Sequence, residues 1–174
     1  DFNHWLSALG RNTRLKAYNR REHLKKKGEL NFRFLAPDET DTLFDCLNQF
    51  HQTRWEKPCF SDASDQFHRA FLNRLDDSQL ALSVLEFDGQ IVAVLYDIRA
   101  GRTQYNLQSG FLDRFDPKVS LGTLHFGYAI EHAFHEPTID NYDLLAGGGK
   151  NSYYKEKFQG EHTGFATVQF VRHP

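Results

Sequence analysis

The sequence predicts an α/β (α+β) domain built on a mixed sheet, with an antiparallel meander and helices on both faces. Three observations carry this. From Leu80 to Ser109 apolar residues alternate, with Asp88-Gly89 and Gly101-Arg102 as turns, the pattern of a three-strand meander. Before it, residues 1–75 carry apolar stripes at helical spacing. After it, a helical stretch from Ser120 to His135 precedes one more strand, Ile139 to Leu145, which can therefore pair in parallel with the last meander strand.

The elements follow in order. Phe2, Trp5, Leu6 and Leu9 place a helix over 1–27, with Leu15 and Tyr18 on a weaker stripe and Gly28 as its stop. Leu30 to Leu35 alternates as a strand. Pro37 and Asp38 open a helix with Leu43, Phe44, Leu47 and Phe50 inward. A third helix starts near Ser61 or Ser64 and is expected to bury Phe67, Phe71 and Leu75. Ile91 to Ile98 is apolar on both faces, the mark of a central strand. Ser120 reads as an N-cap, and Pro137 stops the helix it opens. Gly147-Gly148-Gly149 breaks the 139–145 strand. A short helix over Tyr153 to Phe158 and a strand over Phe165 to Val171 close the chain.

Its 174 residues suffice for one domain with its own core. Residues 1–28 form a basic amphipathic segment and 29–174 the domain proper. The chain starts at Asp1 and contains no Met, so it reads as part of a longer protein, with a tandem N-terminal domain expected against 1–28. A net charge of −2 gives no global field for DNA. No apolar run approaches a membrane span. Cys46 and Cys59 form no CxxC pair and read as reduced thiols of a cytoplasmic protein. Eight Lys and Arg residues between Arg11 and Lys27 read as a solvated face or a domain contact before a phosphate site.

Two segments could carry chemistry. Ser120, Leu121, Gly122 and Thr123 occupy a first helical turn, whose amides lack helical partners and whose dipole end is positive. Such a turn can cradle a pyrophosphate, and equally reads as an ordinary capped helix. Asp143 lies on a largely apolar strand before the triple glycine, and Lys150 and Lys155 are its candidate partners. The glycine run is not a nucleotide P-loop: Leu144 stands where that pattern needs Gly, and Asn151 where it needs Ser or Thr. His125, His132 and His135 share a helix face. They lack an HExxH signature, so no metal is expected, and a general-base role for one of them is the alternative.

Taken in order, Arg54-Trp55, the strands around Asp88-Gly89, Tyr105 to Phe111, Ser120 to Thr123, Asp143 to Gly147 and Tyr154-Lys155 resemble a known family. The series is similar to the GNAT-superfamily acyltransferase domain of the CelD/BcsL type, linked to bacterial cellulose synthesis. Tyr154-Lys155-Glu-Lys-Phe158 also resembles the closing motif of Fem-like aminoacyl transferases. The resemblance implies a GNAT-like sheet with a splayed parallel strand pair that holds acetyl-CoA or another acyl-CoA. It places Gly110, Phe111, Ser120, Leu121, Gly122 and Thr123 at the cofactor, and Gln108, Asp143, Tyr154 and Lys155 at the chemistry. Tyr154 would protonate the thiolate, Asp143 or a histidine would take the acceptor proton, and Lys155 would fix an anionic acceptor. The implied acceptor is a small molecule or an envelope precursor carrying an amine or hydroxyl. tRNA enters only under the Fem-like alternative, and a non-catalytic binding module is the third reading. Where relatives carry Ser-Pro-Gly and Arg-Gly-Asp-Glu, this chain has Ser120-Leu121-Gly122 and Ala146 to Gly149.

Overall fold

A computed structural model describes residues 1–145, 155–164, 168, 170 and 171. Five strands form one sheet in sequence order: β1 (Leu30–Phe34), β2 (Ser83–Phe87), β3 (Gln90–Ala100), β4 (Thr103–Phe111) and β5 (Asn141–Asp143). The first four are antiparallel neighbours, and β5 pairs with β4 in parallel. The β2–β3 turn places Asp88 (φ 49°) and Gly89 (φ 78°) in the left-handed region, as a two-residue hairpin requires.

The alternation of β3 feeds two cores. Val94 and Tyr96 face α4 (Thr40–Trp55), whose Leu43, Phe44, Leu47 and Phe50 are buried as the sequence predicts, and α5 (Asp62–Leu72) closes that side. Ala93 and Leu95 face α6 (Leu121–His135), which buries Leu121, Leu124, Phe126 and Ala129. Helices thus cover both faces.

The N-terminal helix is not continuous. α1 (Phe2–Ala8) ends at Leu9, and α2 (Arg11–Arg14) leads through a π segment, Leu15–Asn19, into α3 (Arg20–Lys25). The π segment lies against α6. A Cβ on Gly127 would stand 1.9 Å from the Ala17 carbonyl oxygen, so only glycine permits this approach. Phe2, Leu9, Ala17 and Leu24 are buried.

Three other expectations change. Phe67 is 65 % exposed and stacks on Phe71. Phe71 and Leu75 do pack against the core beside the buried Leu72, and His68 reaches the Tyr96 hydroxyl there, one position on from Phe67 and so turned about 100° from it. The strand expected over Ile139 to Leu145 is regular only from Asn141 to Asp143. Asp140 and Asn141 both donate to the Arg102 carbonyl before it, and Leu145 (φ 46°) turns the chain after it. Of the strand expected over Phe165 to Val171, only Val168, Phe170 and Val171 are described; none is in regular structure, and all three are exposed.

Candidate active site

The site grows from a mismatch in strand length. β5 pairs only with Thr103, Gln104 and Tyr105, whereas β4 runs on to Phe111. Among the described residues no strand covers the far half of β4 on that side. A register shift at Tyr96/Asp97 makes Leu107 an extra residue in β4, and such a bulge bends the strand. Beyond it, Leu112 N–H donates to Val92 C=O at 2.8 Å. Alternation then makes Val94–Gly110 and Tyr96–Gln108 the hydrogen-bonded pairs, so the main-chain groups of Ser109 and Phe111 point away from β3.

Side chains cap part of this edge. Ser109 N–H donates to Gln108 Oε1 at 3.0 Å, and Ser109 C=O accepts from His51 Nε2 at 3.1 Å. The Gln108 side chain also meets the Cys59 thiol, which burial pushes up to about 12. Gly110 has its main chain committed to β3 by register, and a Cβ there would press on Leu47 and Phe50.

The Phe111 ring links the edge to the start of α6. A Cβ on Gly122 would lie 2.9 Å from it, and the Arg54 guanidinium sits 4.7 Å from the centroids of both Phe111 and Trp55. Leu124 N–H closes the first turn of α6 onto Ser120 C=O, so the amides of Leu121, Gly122 and Thr123 precede the helical ladder. The Ser120 hydroxyl bonds Thr123 Oγ1 at 3.0 Å. The Leu121 side chain is in the core and offers only its amide.

Asp143 and Lys155 lie elsewhere, on a cavity of about 480 Å³ at the β5 edge, together with Tyr105, Leu145 and His162. Asp143 Oδ1 accepts from Leu145 N–H at 2.8 Å. Lys155 Nζ donates to the carbonyls of Leu144 and Leu145, and burial lowers its pKa. The structure thus sets Gln108 and Phe111 on the far half of β4, with the Phe111 ring against Gly122 in the first turn of α6, and places Asp143 with Lys155 at a separate cavity beside β5. Tyr154, the triple glycine and Lys150 lie outside the described residues.

Sequence reasoning missed two polar residues here. Asp97, fully buried on β3, accepts from Asn106 Nδ2 (2.7 Å), Gln104 Nε2 (2.8 Å) and Tyr142 OH (2.6 Å). Burial pushes its pKa up to about 6 against the pull of those three donors. Its signal was a single acid inside the apolar run Ile91 to Ile98. The other is His51, one position past the buried Phe50. The histidines of α6 do not converge. His125 is fully buried with Nε2 3.0 Å from Ser83 Oγ, His132 packs edge-on against Phe34, and His135 bonds its own helix. Among the described residues no group of His, Cys, Asp or Glu could hold a metal ion, and no helix is long and apolar enough to cross a membrane.

A family model described as an acetyltransferase (GNAT) domain matches residues 11–156, and the chain belongs to that family. No curated protein matches it. Among solved structures it is similar to a possible acetyltransferase of Clostridium difficile 630, at 14% identity and TM-score 0.61, covering 83% of this chain and 99% of that one. It is similar to glucosamine-6-phosphate N-acetyltransferase from Arabidopsis thaliana, at 15% identity and TM-score 0.53, covering 83% and 99%. A predicted acetyltransferase from Clostridium acetobutylicum, solved with acetyl-CoA, aligns at 15% identity and TM-score 0.52, covering 82% and 96%. These identities speak for the fold alone.

Proposed function

We propose that the domain transfers an acyl group, acetyl in the simplest case, from a coenzyme A thioester to an amine or hydroxyl of a small-molecule acceptor. The observation that carries this reading is the edge of β4 at Ser109 and Phe111, which no described strand covers, ending beside the amides of α6 that precede its helical ladder. Pantetheine, with its two amides, lies along that edge as a strand would. The phosphates then reach Leu121, Gly122 and Thr123, where the helix dipole and Arg54 favour an anion.

The chemistry needs an aligned acceptor, a site for its proton, and donors for the oxyanion. An edge amide of β4 supplies a donor once ligand displaces the Gln108 carbonyl from Ser109 N–H. The acceptor enters through the cavity at β5, where Asp143 attracts its ammonium group. Lys155 gives two of its three N–H donors to carbonyls at the end of β5, which leaves one for an anionic group of the acceptor. Tyr154 remains the donor to the departing thiolate on the strength of its motif alone.

Acetyltransferases of amino sugars and of aminoglycosides among the structural neighbours support an amine acceptor. The motif series supports the CelD/BcsL type, with an envelope or exopolysaccharide precursor as acceptor. CoA is preferred over aminoacyl-tRNA because the basic stretch is partly spent within the domain: Arg21 pairs with Glu131 and Lys27 with Asp116. The test is titration with CoA followed by amide NMR. Resonances of Ser109, Phe111 and 121–123 should shift together. Absence of binding, or shifts confined to other elements, overturns the reading.

A further inference from the structure

His51 stands beside the β4 edge along which the proposed ligand would lie. It lies in the last turns of α4, half-buried, its ring 4.5 Å from that of Trp55. Its Nε2 is 3.1 Å from the Ser109 carbonyl oxygen, which can only accept. That contact puts the ring proton of the neutral imidazole on Nε2 and leaves on Nδ1 a lone pair that no described residue takes up. A base oriented by a fixed third group is the arrangement that activates nucleophiles in many transferases. Here the orienting group is a main-chain carbonyl on the edge of β4 that no described strand covers, so the base is tied to the strand along which the thioester would lie.

The surroundings keep the ring neutral. Burial lowers its pKa, the Arg54 charge lowers it further, and the Ser109 carbonyl opposes both. On β4 and the loop beside it, Gln108 is uncharged and the Cys59 thiol is held protonated by burial. At neutral pH a histidine below its ordinary value of about 6.5 is ready to accept a proton.

Resting on the acyl-CoA reading, we propose that His51 is the general base of the transfer, with Nδ1 taking the proton of the attacking acceptor. The acceptor lone pair forms a bond to the acyl carbon, and its proton passes to Nδ1. The C–S bond then breaks as the oxyanion collapses, the thiolate leaves and takes up a proton, and the imidazolium returns its own to solvent. The Ser109 carbonyl stabilises the transient cation through Nε2–H. Asp143 then holds the acceptor without serving as its base.

Bromoacetyl-CoA tests this without a known acceptor. Its methylene lies next to the thioester carbonyl, and a nearby nitrogen lone pair displaces bromide. Peptide mass spectrometry should place the adduct on His51, with protection by CoA. His51→Gln keeps a donor for Ser109 but has no lone-pair nitrogen, so it should bind CoA within about twofold of wild type and form no adduct there. With water as acceptor, hydrolysis of acetyl-CoA by the wild type should decline as pH falls through the His51 pKa. In His51→Gln the rate should be at least ~100-fold lower and lack that inflection. CoA binding with the adduct on Asp143, Lys155 or Cys59, with no adduct, or with an unchanged pH profile in His51→Gln overturns the role of His51. Failure of the wild type to bind CoA overturns instead the reading beneath it.

Discussion

The Tyr142 hydroxyl donates a 2.6 Å hydrogen bond to Asp97 Oδ2, fastening the three-residue edge strand β5 to the buried middle of β3. The bond crosses β4, whose Gln104 and Asn106 supply the other two donors. One carboxylate thereby ties together the three strands that shape the candidate site. It also fixes β5 over Thr103 to Tyr105, at the point beyond which no described strand covers β4.

Tyr142→Phe should therefore loosen β5 in particular. The lost bond goes to a group that is largely ionised at neutral pH, and such bonds contribute about 1.5–3 kcal/mol. Urea denaturation should show a loss of that order at pH 7. Carbon NMR should show the Asp97 pKa rising further, since one of the groups that lower it has gone. An unchanged Asp97 titration would sever the link between the two residues.

Asp97 and His125 should make opposing contributions to acid stability. Asp97 titrates near 6 when folded against 3.8 in the reference state. Between those values the folded protein keeps a proton the unfolded chain has lost, so stability falls as pH rises, by about 3 kcal/mol in all. His125 is held neutral down to about 3 by burial, against 6.5 in the reference state. Below 6.5 the unfolded chain takes a proton the folded protein refuses, so stability is lost as pH falls. Between pH 6 and 4 the two slopes nearly cancel. Asp97→Asn should therefore be more destabilised relative to wild type at pH 4 than at pH 7, and His125→Leu less so. Denaturation of the three proteins at both values checks the signs.

The meander, the helical core stripes and the parallel return of β5 were legible because periodicity and turn chemistry are local. Asp88-Gly89 and the buried set Leu43, Phe44, Leu47 and Phe50 are read directly from spacing. The π segment was not, since it is fixed by contact between Ala17 and Gly127, residues far apart in sequence. Phe67 misled because it sits four residues before Phe71, which does pack against the core with Leu72 and Leu75, while its own ring lies outside it. At the site, Gly122 was legible as a place of close approach, but the group approaching it is the Phe111 ring. His51 carried no pattern of its own; its meaning arises only when α4 is laid beside Ser109.

Gly127→Ala should expose that contact. Its methyl would overlap the Ala17 carbonyl, and main chain cannot step aside as a flexible side chain can. The substitution ordinarily favours a helix by about 1 kcal/mol. Here overpacking should reverse the sign and leave a net loss of roughly 1–3 kcal/mol. Amides of residues 11–25 should exchange faster, while those of β2 and β3 keep their protection. A stabilised Gly127→Ala protein would mean that α6 and the π segment do not meet as described.

On the proposed acyl-CoA reading, replacing Arg54 should separate phosphate binding from the remainder of the donor site. Its guanidinium stacks against Trp55 and Phe111 at 4.7 Å from each centroid, and through Phe111 it is one ring away from Gly122. The side chain is on the surface, so Arg54→Ala should change folding stability by less than about 0.5 kcal/mol. Loss of one cation facing the phosphates should weaken CoA about tenfold, corresponding to about 1.4 kcal/mol. Arg54→Lys should recover only part of this, because an ammonium group cannot stack as a planar guanidinium does. Raising salt should narrow the gap between wild type and Arg54→Ala, since the interaction is exposed to solvent. Acetyl-pantetheine has no phosphate and should bind wild type and Arg54→Ala alike. Equal weakening of CoA and acetyl-pantetheine would instead assign Arg54 to the pantetheine edge, and unchanged affinity for both would place the phosphates away from α6.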